Sequence, residues 1–185
     1  MTSKLKTDVL ETVSGSGTIA LTNQLSGMTT ASLPALGSAQ MPSGSVLQVS
    51  YGSTGTAITV TTSTETDLGF TASITPNATN NTLYLDWFLP DCRKAGNTNL
   101  VAKLYRQVNG GGYVFIEWLC QAFLYTATVN TGSAGTAGVY KDTSYNSTAQ
   151  VDYKIYIYSG QNTGEVKVNS DTKSDSGIKI QEIKG

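Results

Sequence analysis

The chain predicts an all-β fold, a β-sandwich or jelly-roll-like knob preceded by an extended arm, and three observations carry that prediction. Short apolar runs alternate with Thr, Ser and Asn at a period of two, the spacing of a half-buried strand. Turns rich in Gly, Asn and Ser separate these runs at intervals of roughly 8–12 residues, the rhythm of a sandwich. No window holds a sustained 3.6-residue apolar stripe, so little helix is expected.

The first forty residues differ from the rest. Thr7–Val13 and Thr18–Leu21 can each form one short strand, but Ser-Gly repeats and a Leu-Pro-Ala-Leu stretch surround them. Apolar residues are too sparse here for an independent core. Residues 1–40 are therefore expected to be an arm shaped by a partner surface, either sister subunits or a larger assembly. Residues 41–185 form the knob.

Within the knob, Ser45–Tyr51 puts Leu47, Val49 and Tyr51 on one face, and Ala57–Thr62 sets Ile58 and Val60 against Thr59 and Thr61. Asp67–Thr75 alternates Leu68, Phe70, Ala72 and Ile74 with polar residues until Pro76 ends the ladder. Thr82–Leu89 carries Leu83, Leu85, Trp87 and Leu89 on one face with Tyr84 and Phe88 on the other. A strand apolar on both faces suits a central position or a subunit contact, so Tyr84, Trp87 and Phe88 are the candidate inter-subunit residues. Pro90–Thr98 reads as a loop. Leu100–Val108 follows as a strand, Asn109-Gly-Gly-Gly112 as a tight hairpin turn with positive φ available, and Tyr113–Leu119 as the returning strand. Phe123–Val129 continues that strand or forms another. Asn130–Gly138 reads as a flexible Gly/Thr loop. Gln150–Tyr158, Glu165–Asn169 and Gly177–Ile183 complete the set.

Composition excludes several function classes. The chain has 185 residues, 39% of them hydrophobic and 14% charged, with a formal charge of -1. Scattered Lys and Arg give no electrostatic footprint for nucleic acid or an anionic membrane. No apolar run approaches the roughly 20 residues of a membrane span, and no secretory signal is expected in Met1–Leu10. There is no histidine, which removes the usual general base and the commonest metal ligand. No metal or other cofactor is expected. Cys92 and Cys120 could form one bridge or be two buried thiols; the latter is favoured. Asn77, Asn80 and Asn146 head glycosylation triplets that chance supplies in a chain so rich in Asn and Thr.

Two carboxylate pairs, Asp86 with Asp91 and Glu117 with Asp152, would suit glycoside cleavage if the fold brought them together. Most charged residues are solvated, and these are read that way. Tyrosines are the more interesting group, because a rigid amphipathic ring gives contact area at low entropic cost. Tyr153, Tyr156 and Tyr158 share one strand, and Tyr113, Tyr125, Tyr140 and Tyr145 surround the central loops. Tyr140, Tyr145, Asn146, Arg93 and Asn97 are the candidate ligand- or receptor-facing residues, on outward-facing loops at Pro90–Thr98 and Asn130–Asn146. No catalytic residue is assigned.

Five motifs occur in order: Met41-Pro-Ser-Gly-Ser-Val-Leu-Gln-Val49, Asp67-Leu-Gly-Phe-Thr-Ala-Ser-Ile-Thr-Pro76, Asn81-Thr-Leu-Tyr-Leu85, Tyr153-Lys-Ile-Tyr-Ile157 and Ser176-Gly-Ile-Lys-Ile-Gln-Glu-Ile183. This set resembles a domain of fibre-type virion proteins of tailed, often marine, bacteriophages, and Leu10–Ile19 is similar to the arm that precedes such domains. The resemblance covers Met41–Ile183, and its specificity lies in the order of short motifs. It implies an all-β knob, a homotrimer and a place in the virion, joined to capsid or tail proteins through residues 1–40. Forty residues leave no room for a long shaft, so a short fibre or capsid decoration protein is expected. The rival readings are an adhesin binding a host glycan or protein, a glycan-cleaving enzyme, and a lectin-like module that would stay monomeric without its arm.

Overall fold

A computed structural model describes residues 37–127, 131–171 and 173–185; the arm strands expected at Thr7–Val13 and Thr18–Leu21 lie outside the described residues. Gly37–Gly185 is one compact unit of eleven strands in two sheets, with no helix among the described residues.

The first sheet takes β1 (Val46–Thr54), β2 (Ile58–Val60), β5 (Thr82–Ala95), β8 (Gly132–Asp142), β10 (Glu165–Val168) and β11 (Ser176–Ile183). Its order is β1-β11-β5-β10-β2, with β8 pairing antiparallel to β5. The second sheet takes β3 (Thr66–Asp67), β4 (Ala72–Ile74), β6 (Thr98–Val108), β7 (Val114–Thr126) and β9 (Val151–Ser159), in the order β3-β9-β6-β7 with β4 also on β9. The core lies between the sheets: Leu83, Leu85 and Ile180 from one meet Leu104, Ile155 and Ile157 from the other, all fully buried. Each such side chain contributes about 1.5–3 kcal/mol.

The sandwich is as expected, but three segments differ from the sequence reading. Pro90–Thr98 is largely strand. β5 runs on to Ala95 through a bulge between Leu89 and Cys92. One extra residue flips the strand, so Leu83, Leu85, Trp87 and Leu89 point inward before it and Cys92 and Lys94 after it. Proline is tolerated there because a bulged residue has no ladder bond to donate. Asn130–Gly138 is likewise strand from Gly132 onward, the start of edge strand β8. Its glycines hid it, and they are required: a Cβ on Gly138 would sit 2.7 Å from the Trp87 indole and one on Gly135 2.6 Å from the Pro90 carbonyl oxygen. Finally, the single strand expected at Asp67–Thr75 is two, β3 and β4. Gly69 turns the chain at φ 81°, and the Asp67 carboxylate accepts its N–H at 2.8 Å.

The β6–β7 hairpin follows its turn residues. Asn109 and Gly110 have φ of 51° and 70°, and Gly111 N–H donates to the Val108 carbonyl at 3.1 Å. These two positive φ values start the turn of the five-residue loop between β6 and β7.

Both cysteines are free thiols, Cys92 buried and Cys120 half-buried. Burial pushes Cys92 up to about 12 and Cys120 up to about 11, so neither forms thiolate near neutral pH. The native protein is expected to react with a thiol reagent such as DTNB at least tenfold more slowly than the denaturant-unfolded chain, in which both should react at once. Native reaction as fast as unfolded would contradict this placement.

Candidate functional site

The outer face of the second sheet carries the densest cluster of aromatic and charged side chains. On β6, Lys103 and Tyr105 point away from the core, as Lys154, Tyr156 and Tyr158 do on β9. On β7 the pairing is irregular: Phe115 lies opposite Tyr105, Glu117 opposite Leu104 and Trp118 opposite Lys103. Three residues of β7 thus span two of β6, which brings Phe115 and Trp118 to the same face. A strict period of two would have put them on opposite faces.

The rings form a continuous row. Tyr156 and Tyr105 have centroids 4.7 Å apart, Tyr105 and Phe115 5.9 Å, and Phe115 and Trp118 5.5 Å. The Lys103 ammonium lies 4.2 Å from the Trp118 ring centre and 5.4 Å from those of Phe115 and Tyr158. Glu65, just before β3, accepts from Lys103 Nζ at 2.5 Å and from the Tyr105 hydroxyl. Burial alone would raise the Glu65 carboxyl, but those two hydrogen bonds bring it below the usual range. Burial and the same carboxylate push Tyr105 up to about 12. Further along, Asp67 accepts from Lys154 Nζ at 2.5 Å, and that ammonium lies 5.1 Å from the Tyr113 ring centre. The hydrogen bond to Asp67 raises Lys154. Phe115 remains 43% exposed and Trp118 36%.

The outer face of the first sheet mixes exposed apolar side chains with charged ones. Val49, Tyr51 and Val139 are 58%, 56% and 64% exposed. Tyr51 stacks on half-buried Phe88 at 6.0 Å, Tyr84 lies half-buried nearby, and the Asp86–Lys179 ion pair at 2.8 Å runs between them.

The predicted ligand-facing residues do not gather. Arg93 is exposed on β5 opposite Ser133, whereas Tyr140 is half-buried opposite Leu85. Seven residues of β8 separate those two positions, about 23 Å at strand rise. Asn97 is exposed in the β5–β6 turn, where its carbonyl accepts the Thr163 hydroxyl at 2.7 Å; Asn146 is exposed with φ 43°. Tyr145 does not face ligand. It is 3% exposed, and its hydroxyl donates to the Ala78 and Asn81 carbonyls at 2.8 and 2.9 Å, pinning the loop before β5. Trp87 likewise is no subunit contact: it is 6% exposed and faces the core, on the same side of β5 as Leu85. Tyr153, grouped by sequence with Tyr156 and Tyr158, is fully buried on the opposite face of β9.

Neither carboxylate pair is assembled. Asp86 and Asp91 are five residues apart along β5, about 15 Å, beyond the roughly 5–10 Å that glycoside cleavage uses. Glu117 and Asp152 lie on strands separated by β6 and offset by three register positions, on the order of 14 Å. Asp91 instead accepts from Ser170 Oγ and Asp171 N–H; burial works to raise it, but these bonds leave it lowered. Among the described residues no three acidic or cysteine side chains come together as a metal would require.

No protein-family model matches the chain, and no curated protein matches it. Among solved structures, it is similar to that of infectious bursal disease virus, Gx strain, at 14% identity over 83% of this chain and 37% of that one, with a TM-score of 0.42. It is also similar to the CBM22-1 xylan-binding domain of Xyn10C from Paenibacillus barcinonensis, at 11% identity over 78% of this chain and 99% of that one, with a TM-score of 0.31. The chain thus spans little more than a third of the viral chain it matches.

Proposed function

We infer that this chain is a non-enzymatic structural component of a tailed-phage particle, a short trimeric fibre or a decoration protein held to the particle by residues 1–40. The ordered motif set supports the particle, and an all-β knob is the form that resemblance implies. The observation that carries the assembly is the outer face of the first sheet, where exposed Tyr51 and Val139 and half-buried Phe88 surround the Asp86–Lys179 ion pair. From β1 across β11 and β5 to β8 this face measures roughly 20 by 26 Å by strand spacing and rise. That is on the order of 500 Å² in projection and more as accessible surface, the scale of a subunit contact of about 800 Å² per partner.

Light scattering on the full chain should give a three-chain mass. Replacing both Tyr51 and Val139 with Lys should return it to one chain with unchanged circular dichroism. A wild-type chain that stays monomeric at its solubility limit would overturn the assembly reading.

A further inference from the structure

We propose that the outer face of β9, β6 and β7 is a binding platform for a neutral oligosaccharide, a reading that goes beyond the structural role and does not depend on it. Phe115 and Trp118 would stack on pyranose C–H faces, and Lys103, Glu65 and Lys154 would bond the ring hydroxyls.

Four observations lead to that ligand. The rings are set before binding: Glu65 ties Tyr105 and Lys103 together, and Lys103 is lodged among Phe115, Trp118 and Tyr158. A platform of fixed rings lowers the ordering cost of association. Charge is balanced pair by pair, Lys103 with Glu65 and Lys154 with Asp67, so the face offers no surplus cation to a phosphate or carboxylate ligand. A nucleic-acid strand needs such a surplus besides stacking rings. The polar groups still have bonding capacity, since an ammonium has three donors and each of these uses one on its carboxylate. Size also decides. With Phe115 43% and Trp118 36% exposed and tyrosines half-buried around them, the ring surface is on the order of 350 Å². Two or three sugar rings cover that area.

The test is affinity electrophoresis of the full chain through gels cast with neutral polysaccharides (dextran, mannan, xylan, hydroxyethylcellulose), followed by fluorescence titration with the oligosaccharide of the polymer that retards it. Retardation is expected in at least one gel, with a shift of Trp118 emission. The exposed-ring variants Trp118→Ala and Phe115→Ala should each weaken binding at least tenfold, while Thr61→Ala, exposed just after β2 and outside both surfaces, leaves it unchanged. No retardation in any gel overturns the proposal, as does retardation that survives both ring substitutions. Self-association abolished by Trp118→Ala would make a second copy the occupant and overturn it too. The Tyr51 and Val139 variants act on the other sheet, so failure of the assembly reading and failure of this one are separately visible.

Discussion

Replacing Asp142 with Asn is expected to lower folding stability by about 3–4 kcal/mol, the largest effect of any single polar substitution in the knob. Asp142 ends edge strand β8 in the first sheet and is fully buried. Its carboxylate accepts from Arg106 Nη1 at 2.7 and 2.8 Å, from the Tyr153 hydroxyl at 2.7 Å, and from the Ser144 N–H at 2.8 Å. Arg106 and Tyr153 belong to the second sheet, so one carboxylate ties the two layers together. Burial would raise the Asp142 carboxyl, but the bonds from Tyr153 and Arg106 outweigh it and hold the group below its usual range. Arg106 Nε has no partner among the described residues, so this guanidinium is already incompletely satisfied. Removing the charge opposite it leaves a largely buried cation uncompensated, the costly half of a broken pair. A drop of about 3 kcal/mol corresponds to roughly 6–12 °C in Tm for a chain of this size. Replacing both Asp142 and Arg106 with Leu should recover much of the loss, because an apolar pair of similar volume needs no partner. Less than 1 kcal/mol for Asp142→Asn by urea unfolding would mean the network does not join the sheets.

How much of this was legible in the sequence depends on what each residue answers to. Strands such as Val151–Ser159 and Ser176–Ile183 were legible because their alternation answers only to a core on one side. Asn109-Gly110 was legible because its conformation is local. The bulge at Pro90 and the glycine-rich β8 were not. Their shape answers to a neighbour: β8 lies against Trp87 and Pro90, and only glycine fits those approaches. The aromatic row was half legible. Tyr156 and Tyr158 stand out by spacing, but Phe115 and Trp118 join them only through irregular pairing that no period predicts. Tyr145 misled because an aromatic among Asn, Ser and Thr looks exposed, whereas its one hydroxyl proton is shared between the carbonyls of Ala78 and Asn81.

Four of the ordered motifs have a physical meaning that their sequence conceals. Gln48 comes from the first, Asn77 directly follows the second, Asn81 opens the third and Glu182 lies in the last. All four meet at one carboxylate. Glu182 is fully buried and accepts from Asn77 N–H at 2.7 Å and from the side-chain amides of Gln48, Asn77 and Asn81 at 2.6 Å each. None of these donors is a cation, so neutral dipoles alone hold the charge. Burial tends to raise the Glu182 carboxyl, and the four hydrogen bonds together lower it. Glu182→Gln keeps the volume but turns an amide N–H₂ toward two of the donors. The expected cost is about 2–4 kcal/mol for donors left unsatisfied. The sign of the pH dependence follows from a folded-state value below the 4.5 of the unfolded chain. The stabilisation is complete above about pH 4.5 and is lost as pH falls below it through the folded value. Wild type and Glu182→Gln should therefore differ most near pH 6–7 and converge as the pH is lowered from 4.5 toward 2, which urea midpoints at successive pH values would show. Parallel curves, with a constant gap across that range, would mean that the lost stability comes from altered packing rather than from the charge, and the four motifs would then have some other reason to meet.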